Sequence, residues 1–287
     1  MPEDTFATPP CARDPDAGHA GLRFSFAFQP IFDIKAGTPF AYEALVRGAY
    51  GEPAISVLSK VDPVDRSAFD QALRIRAVEL AASLMPGEAG PALAINFMPD
   101  AVKDPVRGLR STLETARHMN FGHKRLLLEA SGYDRVAEPA RFAHTMSHYA
   151  AVGFTTAIDD FGVGDANLAT LVDVAPHMLK LDRHLVRDID TDHRRRAIVA
   201  SIARMARELD IELVGQGVDS VPVFKALAGF GVRLFQGDLF AKPAFEALPS
   251  INAKALTAVR DHEAQQACAK IIPLRRINGT HTPNSAA

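Results

Sequence analysis

Short apolar runs alternate with longer helical patterns through the middle of this chain, and no other feature limits its fold as strongly. Eight runs read as strands: Phe26–Ile34, Ala41–Val46, Leu93–Phe97, Leu126–Ala130, Thr155–Ile158, Met178–Leu181, Glu212–Gly215 and Arg233–Phe235. A turn containing Gly37, Thr38 and Pro39 is all that separates the first two, which predicts an antiparallel hairpin. Each later gap has room for a helix. The clearest are Arg66–Leu84, Val106–Met119, Pro139–Val152, Arg194–Leu209 and Val221–Phe230, with apolar residues at helical spacing. Strand–helix alternation predicts a parallel sheet. A chain of 287 residues, 47% hydrophobic, has core enough for one barrel or for two small domains. Eight strands over about 220 residues favour a closed barrel over an open sheet. The expected fold class is therefore α/β, a TIM-like (β/α)8 barrel with an antiparallel first strand.

The barrel is expected to occupy residues 23–249. Residues 1–22 are rich in Pro, Asp, Ala and Gly and read as a disordered leader. Residues 250–287 read as a helix over Asn252–Lys270, then a short basic stretch (Lys270, Arg275, Arg276), with Gly279–Ala287 disordered. That stretch reads first as a solvated tail, and otherwise as a contact for a partner or a membrane. No apolar run is as long as a membrane span, and the leader lacks the apolar core of a signal peptide. Cys11 and Cys268 lie far apart and outside any metal-ligand spacing, so they read as thiols in a reducing compartment. A cytoplasmic protein is expected. The formal net charge of -2 offers no basic field for a nucleic-acid polymer, whereas a small anionic ligand can be held by a few local cations.

The chemistry gathers at strand ends. Asn96 ends the third predicted strand and Glu129 the fourth; Asp159 and Asp160 follow the fifth, Lys180 and Asp182 the sixth. Gln216 and Gln236 follow the seventh and eighth, and Glu43 lies within the second. Any one of them alone reads as a turn residue or a helix cap. In a barrel, however, the C-terminal strand ends share one rim, where active sites sit. Carboxylate and amide oxygens gathered there suit a hard cation such as Mg²⁺ or Mn²⁺. The vicinal Asp159–Asp160 pair is costly to hold unless cations neutralise it. The run through Gly162 and Gly164 adds a loop able to move or to approach a ligand closely.

These residues resemble the EAL domain family over about Phe26 to Leu248. Phe28-Gln29-Pro30-Ile31 resembles the family's opening strand, and Glu43-Ala44-Leu45 with Arg47 the motif that names it. Ile95-Asn96-Phe97, Leu128-Glu129, Asp159-Asp160-Phe161-Gly162, Lys180-Leu181-Asp182 and Gln236-Gly237 follow in order. Phe69-Asp70-Gln71 with Arg74 is similar to a subgroup often fused to blue-light (BLUF) sensors. The resemblance implies hydrolysis of cyclic di-GMP to linear pGpG with two Mg²⁺ or Mn²⁺ ions. It implies Glu43, Asn96, Glu129 and Asp159 as ligands of the first metal. Asp159 would be shared with the second, joined by Asp160. Lys180 would orient water, with Gln216 and Gln236 beside it as catalytic positions. Gln29, Arg47 and Asp182 would be ligand-binding, Arg47 through a phosphate.

The pattern breaks around the second metal. Active members carry Ala-Glu-Gly-Val-Glu at the seventh strand, where this chain has Gly215-Gln216-Gly217-Val218-Asp219. Gln216 stands for the Glu that is a metal ligand and acid/base candidate, and an amide takes no proton near neutral pH. Gly132 replaces a Glu that steadies the signature loop; Asp165 and Asp238 replace tyrosines. Loss of a general base costs about 10²–10⁴-fold in rate. The resulting expectation is an impaired second metal site and an EAL-type protein with lost or strongly reduced phosphodiesterase activity. It would serve as a cyclic di-GMP-binding or protein-interaction module, with a regulatory protein or a second copy of itself as partner. The alternatives are a working phosphodiesterase and an unrelated metal-dependent barrel enzyme.

Overall fold

The computed structural model describes residues 22–131, 138–162, 168 and 170–271. Residues 1–21 of the expected leader, Gly132, Asp165 and the chain beyond 271 lie outside them. Among the described residues nine strands form one sheet: β1 (Phe24–Asp33), β2 (Thr38–Gly48), β3 (Ala92–Phe97), β4 (Leu126–Ala130), β5 (Thr155–Phe161), β6 (Met178–Leu181), β7 (Glu212–Gly215), β8 (Leu234–Phe235) and β9 (Ala244–Phe245). Strands β2 to β8 run parallel in sequence order. β1 closes the ring, antiparallel to both β2 and β8. The eight-stranded barrel with an antiparallel first strand is therefore present. β9 is an addition, two residues paired to Ala27 and Phe28 of β1. β1 starts two residues earlier than expected, and β5 runs on to Phe161 through an irregularity in its pairing.

Helices occupy the connections: α1 (Ile55–Leu58), α2 (Arg66–Leu84), α3 (Pro105–His118), α4 (Pro139–Ala151), α5 (Thr170–Asp173), α6 (Arg183–Val186), α7 (His193–Glu208), α8 (Val221–Gly229) and α9 (Ala253–Ile271). Local chemistry starts them where the sequence indicates. Asp104 accepts hydrogen bonds from Val106 and Arg107 N–H with Pro105 in the first turn of α3, and Asp192 caps α7 through Arg194 and Arg195. Among the described residues no helix is long and apolar enough to cross a membrane.

The barrel interior explains where the site must be. One apolar side chain from each of β1 to β8 fills the centre: Ile31, Ala41, Ala94, Leu127, Ala157, Met178, Val214 and Leu234. Strand side chains alternate between faces, so the next inward position lies two residues on. Along the parallel strands those positions are Glu43, Asn96, Glu129, Asp159, Lys180, Gln216 and Gln236. On the reversed β1 it is two residues back, Gln29. A polar layer thus lies directly on an apolar one. A second, larger core packs the outward strand faces, with Phe28, Ile95, Leu128, Ile158 and Leu179, against the helices.

Candidate active site

Lys180 is the centre of the polar layer. Its side chain is fully buried, and Nζ donates to Glu43 Oε2 at 2.8 Å and Glu129 Oε2 at 2.7 Å, with Asp159 Oδ1 at 3.5 Å. Around these, Asn96 Nδ2 donates to Glu43 Oε1 at 2.8 Å, and Gln236 Nε2 to Glu43 Oε2 at 2.7 Å. Gln216 Nε2 donates to Asp159 Oδ1 at 2.7 Å. Gln29 Nε2 holds Ala241 O at 3.0 Å and so ties β1 to the chain after β8.

Charge does not balance here. Three buried carboxylates, Glu43, Glu129 and Asp159, place oxygens within 4.8 Å of one another, against the single ammonium of Lys180. The carboxylates respond unequally. Burial opposes charge on Glu43, but Lys180 and the hydrogen bonds from Lys180, Gln236 and Asn96 hold it below the usual range. Burial pushes Glu129 well up, more than Lys180 lowers it, with Glu43 and Asp159 adding repulsion. Asp159 is raised too, by burial and by repulsion from Glu43, against the lowering by Lys180 and the hydrogen bonds from Asp160 N–H and Gln216. Burial alone would lower Lys180, yet Asp159, Glu129 and Glu43 together raise it well above an ordinary lysine. Glu129 Oε1 and Gln236 Oε1 are buried and accept no hydrogen bond from the described residues. An excess of buried anionic oxygen with unused acceptors is what a divalent hard cation neutralises. Glu43, Glu129 and Asp159 therefore fit a metal ion.

Above this layer lies a cavity of about 460 Å³, lined by Gln29, Glu43, Asp159, Asp160, Gln216 and Gln236, with Asp182, Arg183, Asp219 and Asp238 on its rim. That volume is within the roughly 300–1,000 Å³ of small-molecule sites. Asp159 and Asp160 should face opposite sides of a regular strand. They share the cavity because Asp160 adopts φ of 52° while its N–H donates to Asp159 Oδ1 at 2.9 Å. Burial against the wall, with Asp159 and Asp182 nearby, pushes Asp160 up to about 6. Gly237 joins the rim with φ of 151°; a Cβ there would lie 2.2 Å from Val218 O, so only glycine lets the chain pass.

The structure thus brings Gln29, Glu43, Asp159, Asp160, Asp182, Gln216 and Gln236 to one cavity, with Glu129 and Lys180 beneath it. Asp182 also caps α6, accepting from His184 N–H at 2.5 Å. Asn96 and Arg47 line a separate, apolar cavity of about 250 Å³ beside α1 and α2. There Arg47 Nη1 donates to Val46 O at 2.7 Å. Sequence reasoning missed Arg183, which meets the mouth directly after Asp182, and Ser131, whose hydroxyl donates to Asn96 Oδ1.

Comparison with known proteins follows the same outline. The EAL domain family model matches residues 16–243. A standalone versatile EAL protein from Vibrio cholerae O395, solved in its c-di-GMP-bound form, is 39% identical. It covers 80% of this chain and 96% of its own, with a TM-score of 0.77. BlrP1 of Klebsiella pneumoniae, in a manganese and cyclic di-GMP complex, is 29% identical with a TM-score of 0.74, over 82% of this chain and 60% of that one. The blue light- and temperature-regulated antirepressor BluF of Escherichia coli (strain K12) is 28% identical over 226 residues, 79% of this chain and 56% of that protein. The chain spans little more than half the length of BluF and BlrP1.

Proposed function

The chain belongs to the EAL domain family, and from that premise we propose a cyclic di-GMP-binding protein that has lost most or all phosphodiesterase activity. The observation that carries this is the bond from the Gln216 amide to Asp159 Oδ1, 2.7 Å long. A glutamate at that position would set two anions at hydrogen-bond distance and so demand a cation between them. The amide meets Asp159 by donating to it. It therefore removes the demand for a second ion and leaves Asp159 with less acceptor capacity to offer one. It also accepts no proton in the neutral range.

Glu43, Asn96, Glu129 and Asp159 would hold one Mg²⁺ or Mn²⁺. Such an ion supplies Lewis acidity toward a phosphoryl oxygen. Lys180 balances part of the carboxylate charge, and Arg183 adds a cation where a dianionic dinucleotide would enter. The protein acts in the cytoplasm as a ligand-responsive module, through a regulatory protein or a second copy of itself. The intact carboxylates and the placement of Lys180 favour, as a second reading, a phosphodiesterase that still turns over slowly. Incubation with cyclic di-GMP and Mn²⁺, following pGpG and binding together, separates the two. Binding is expected, with turnover at least about 10²-fold below ordinary enzyme rates of roughly 1–10³ per second. Turnover within that range defeats the reading.

Two further results follow from the charge excess. Asp159→Asn, which removes an anionic ligand, should abolish Mn²⁺ binding in calorimetry; equal affinity in the variant would refute the ligand assignment. Metal uptake should also expel protons, because Glu129 and Asp160 hold theirs above the ordinary carboxylate range. Mn²⁺ affinity should then rise with pH, by up to about tenfold per unit for each proton displaced. The metal-free protein should show the opposite trend. A carboxyl raised in the folded state contributes stability below its unfolded value, and that is lost as pH climbs through the folded value. Calorimetry in buffers of different ionisation heat measures the proton count, and a count of zero between pH 5 and 7 contradicts the prediction.

A further inference from the structure

The motif Asp70 with Arg74 is left unexplained by the reaction, although both side chains are buried in α2 and form an ion pair. A buried pair is weak evidence for stability, since desolvation offsets most of the attraction. What these two residues hold is more informative. Asp70 Oδ1 accepts from Met98 N–H at 2.9 Å, and Arg74 Nη2 donates to Gly108 O at 3.1 Å. They therefore hold the start of the connection that leaves β3, two residues after Asn96, and the first turn of α3 that follows it. One residue nearer, Phe97 O accepts from Ser131 N–H at 3.2 Å. Ser131 then turns its hydroxyl onto Asn96 Oδ1, while Asn96 Nδ2 donates to Glu43 Oε1 at 2.8 Å. Hydrogen bonds and one short piece of backbone thus run from α2 to the carboxylate at the centre of the site.

An asparagine ligates a hard cation through its oxygen only, and its amide can rotate by half a turn to present nitrogen instead. Glu43, a carboxylate that can only accept, holds the nitrogen on its side, and the Ser131 hydroxyl donates to the oxygen on the other. One lone pair of Asn96 Oδ1 accepts from Ser131, which leaves that oxygen one further acceptor site.

We propose that Ser131 is a positioning residue that fixes the Asn96 amide for metal binding, and that Asp70, held by Arg74, anchors the strand exit on which Ser131 and Asn96 meet. The proposal rests on the assignment of Glu43, Asn96, Glu129 and Asp159 as ligands of the first metal. Outer partners of metal ligands typically change affinity by about 10–100-fold. The test is Mn²⁺ titration of the full chain by calorimetry, with thermal melting of each variant in the absence of metal. Ser131→Ala is expected to weaken Mn²⁺ binding about tenfold, with little change in metal-free melting. Ser131→Thr, which keeps the hydroxyl, should restore affinity to near the wild-type level. Asp70→Asn should weaken binding too, and the Ser131→Ala, Asp70→Asn double variant should lose no more than Ser131→Ala alone, because the two act in series. Wild-type affinity in Ser131→Ala overturns the role of Ser131, whatever becomes of the more deeply buried Asp70 variant. Multiplying losses in the double variant overturn the series. A wild type that binds no Mn²⁺ overturns the ligand assignment, and this proposal with it.

Discussion

Lys180→Met is expected to destabilise the metal-free barrel by about 3–5 kcal/mol, the cost of breaking a buried ionic cluster by removing one partner. Methionine matches the length of the lysine stem and keeps the packing. What disappears is the only ammonium among Glu43, Glu129 and Asp159, whose oxygens lie within 4.8 Å of one another. Each remaining anion then lies in a poorly solvated interior facing others of its own sign. For a domain of this size the loss corresponds to a fall in melting temperature on the order of 10 °C. The sign with pH is fixed. Lys180 is raised well above an ordinary lysine, so its stabilisation is fully present at neutral pH in the wild type. In the variant the carboxylates can neutralise themselves only by taking protons. The deficit should therefore shrink toward pH 4.5 and widen toward pH 8. Saturating Mn²⁺ should recover part of it, about 2.7 kcal/mol at a hundredfold excess over the dissociation constant. Melting within about 2 °C of wild type at pH 7.5 without metal would show that Lys180 is not the counter-ion of this cluster.

The sequence made much of that cluster legible, for a definite reason. A barrel strand alternates inward and outward, so a polar residue two positions beyond a buried apolar one must enter the mouth. Ala41 and Glu43, Leu127 and Glu129, Met178 and Lys180, and Leu234 and Gln236 all obey this rule, and strand pattern alone can read it. Asp160 escaped the rule. A vicinal pair in a regular strand faces both ways, and the left-handed backbone that turns Asp160 into the cavity leaves no periodic trace. β9 is two residues long, too short for any alternation to register. Ser131 is one small polar residue after a strand, and its value lies wholly in where its hydroxyl points. Arg74 and Asp70 are spaced as an ordinary exposed helix pair, and only the packing of α2 against α3 and β3 reveals that they face inward. For Arg47, the sequence gives the strand but not the rotamer, and the guanidinium is folded back onto Val46 O, outside the main cavity.

Gln216→Glu tests whether one amide accounts for the loss of activity proposed above. The exchange is nearly isosteric, so the fold should survive it, but the electrostatics reverse. Where the amide now donates to Asp159 Oδ1 at 2.7 Å, a carboxylate would face a carboxylate. Without metal that contact needs a shared proton, and a second ion replaces the proton when Mn²⁺ is supplied. Three linked changes are expected. Metal-free stability should fall as pH rises above about 5, because a proton trapped between two acids is then harder to keep. Mn²⁺ stoichiometry should rise from one ion to two, with Asp160 as the further ligand at the rim. Hydrolysis of cyclic di-GMP at saturating Mn²⁺ should increase about 10-fold or more, a barrier lowering of at least about 1.4 kcal/mol. The combination is diagnostic, because each change draws on a different property of the new carboxylate: repulsion, ligation and proton acceptance. A variant that gains the second ion without gaining turnover would place the missing function elsewhere, with Asp238, on the same rim, the next residue to exchange. A variant that gains neither would show that Gln216 is not the cause of the proposed loss, and the segment after Phe161, where Asp165 replaces the family's tyrosine, would be the next to exchange.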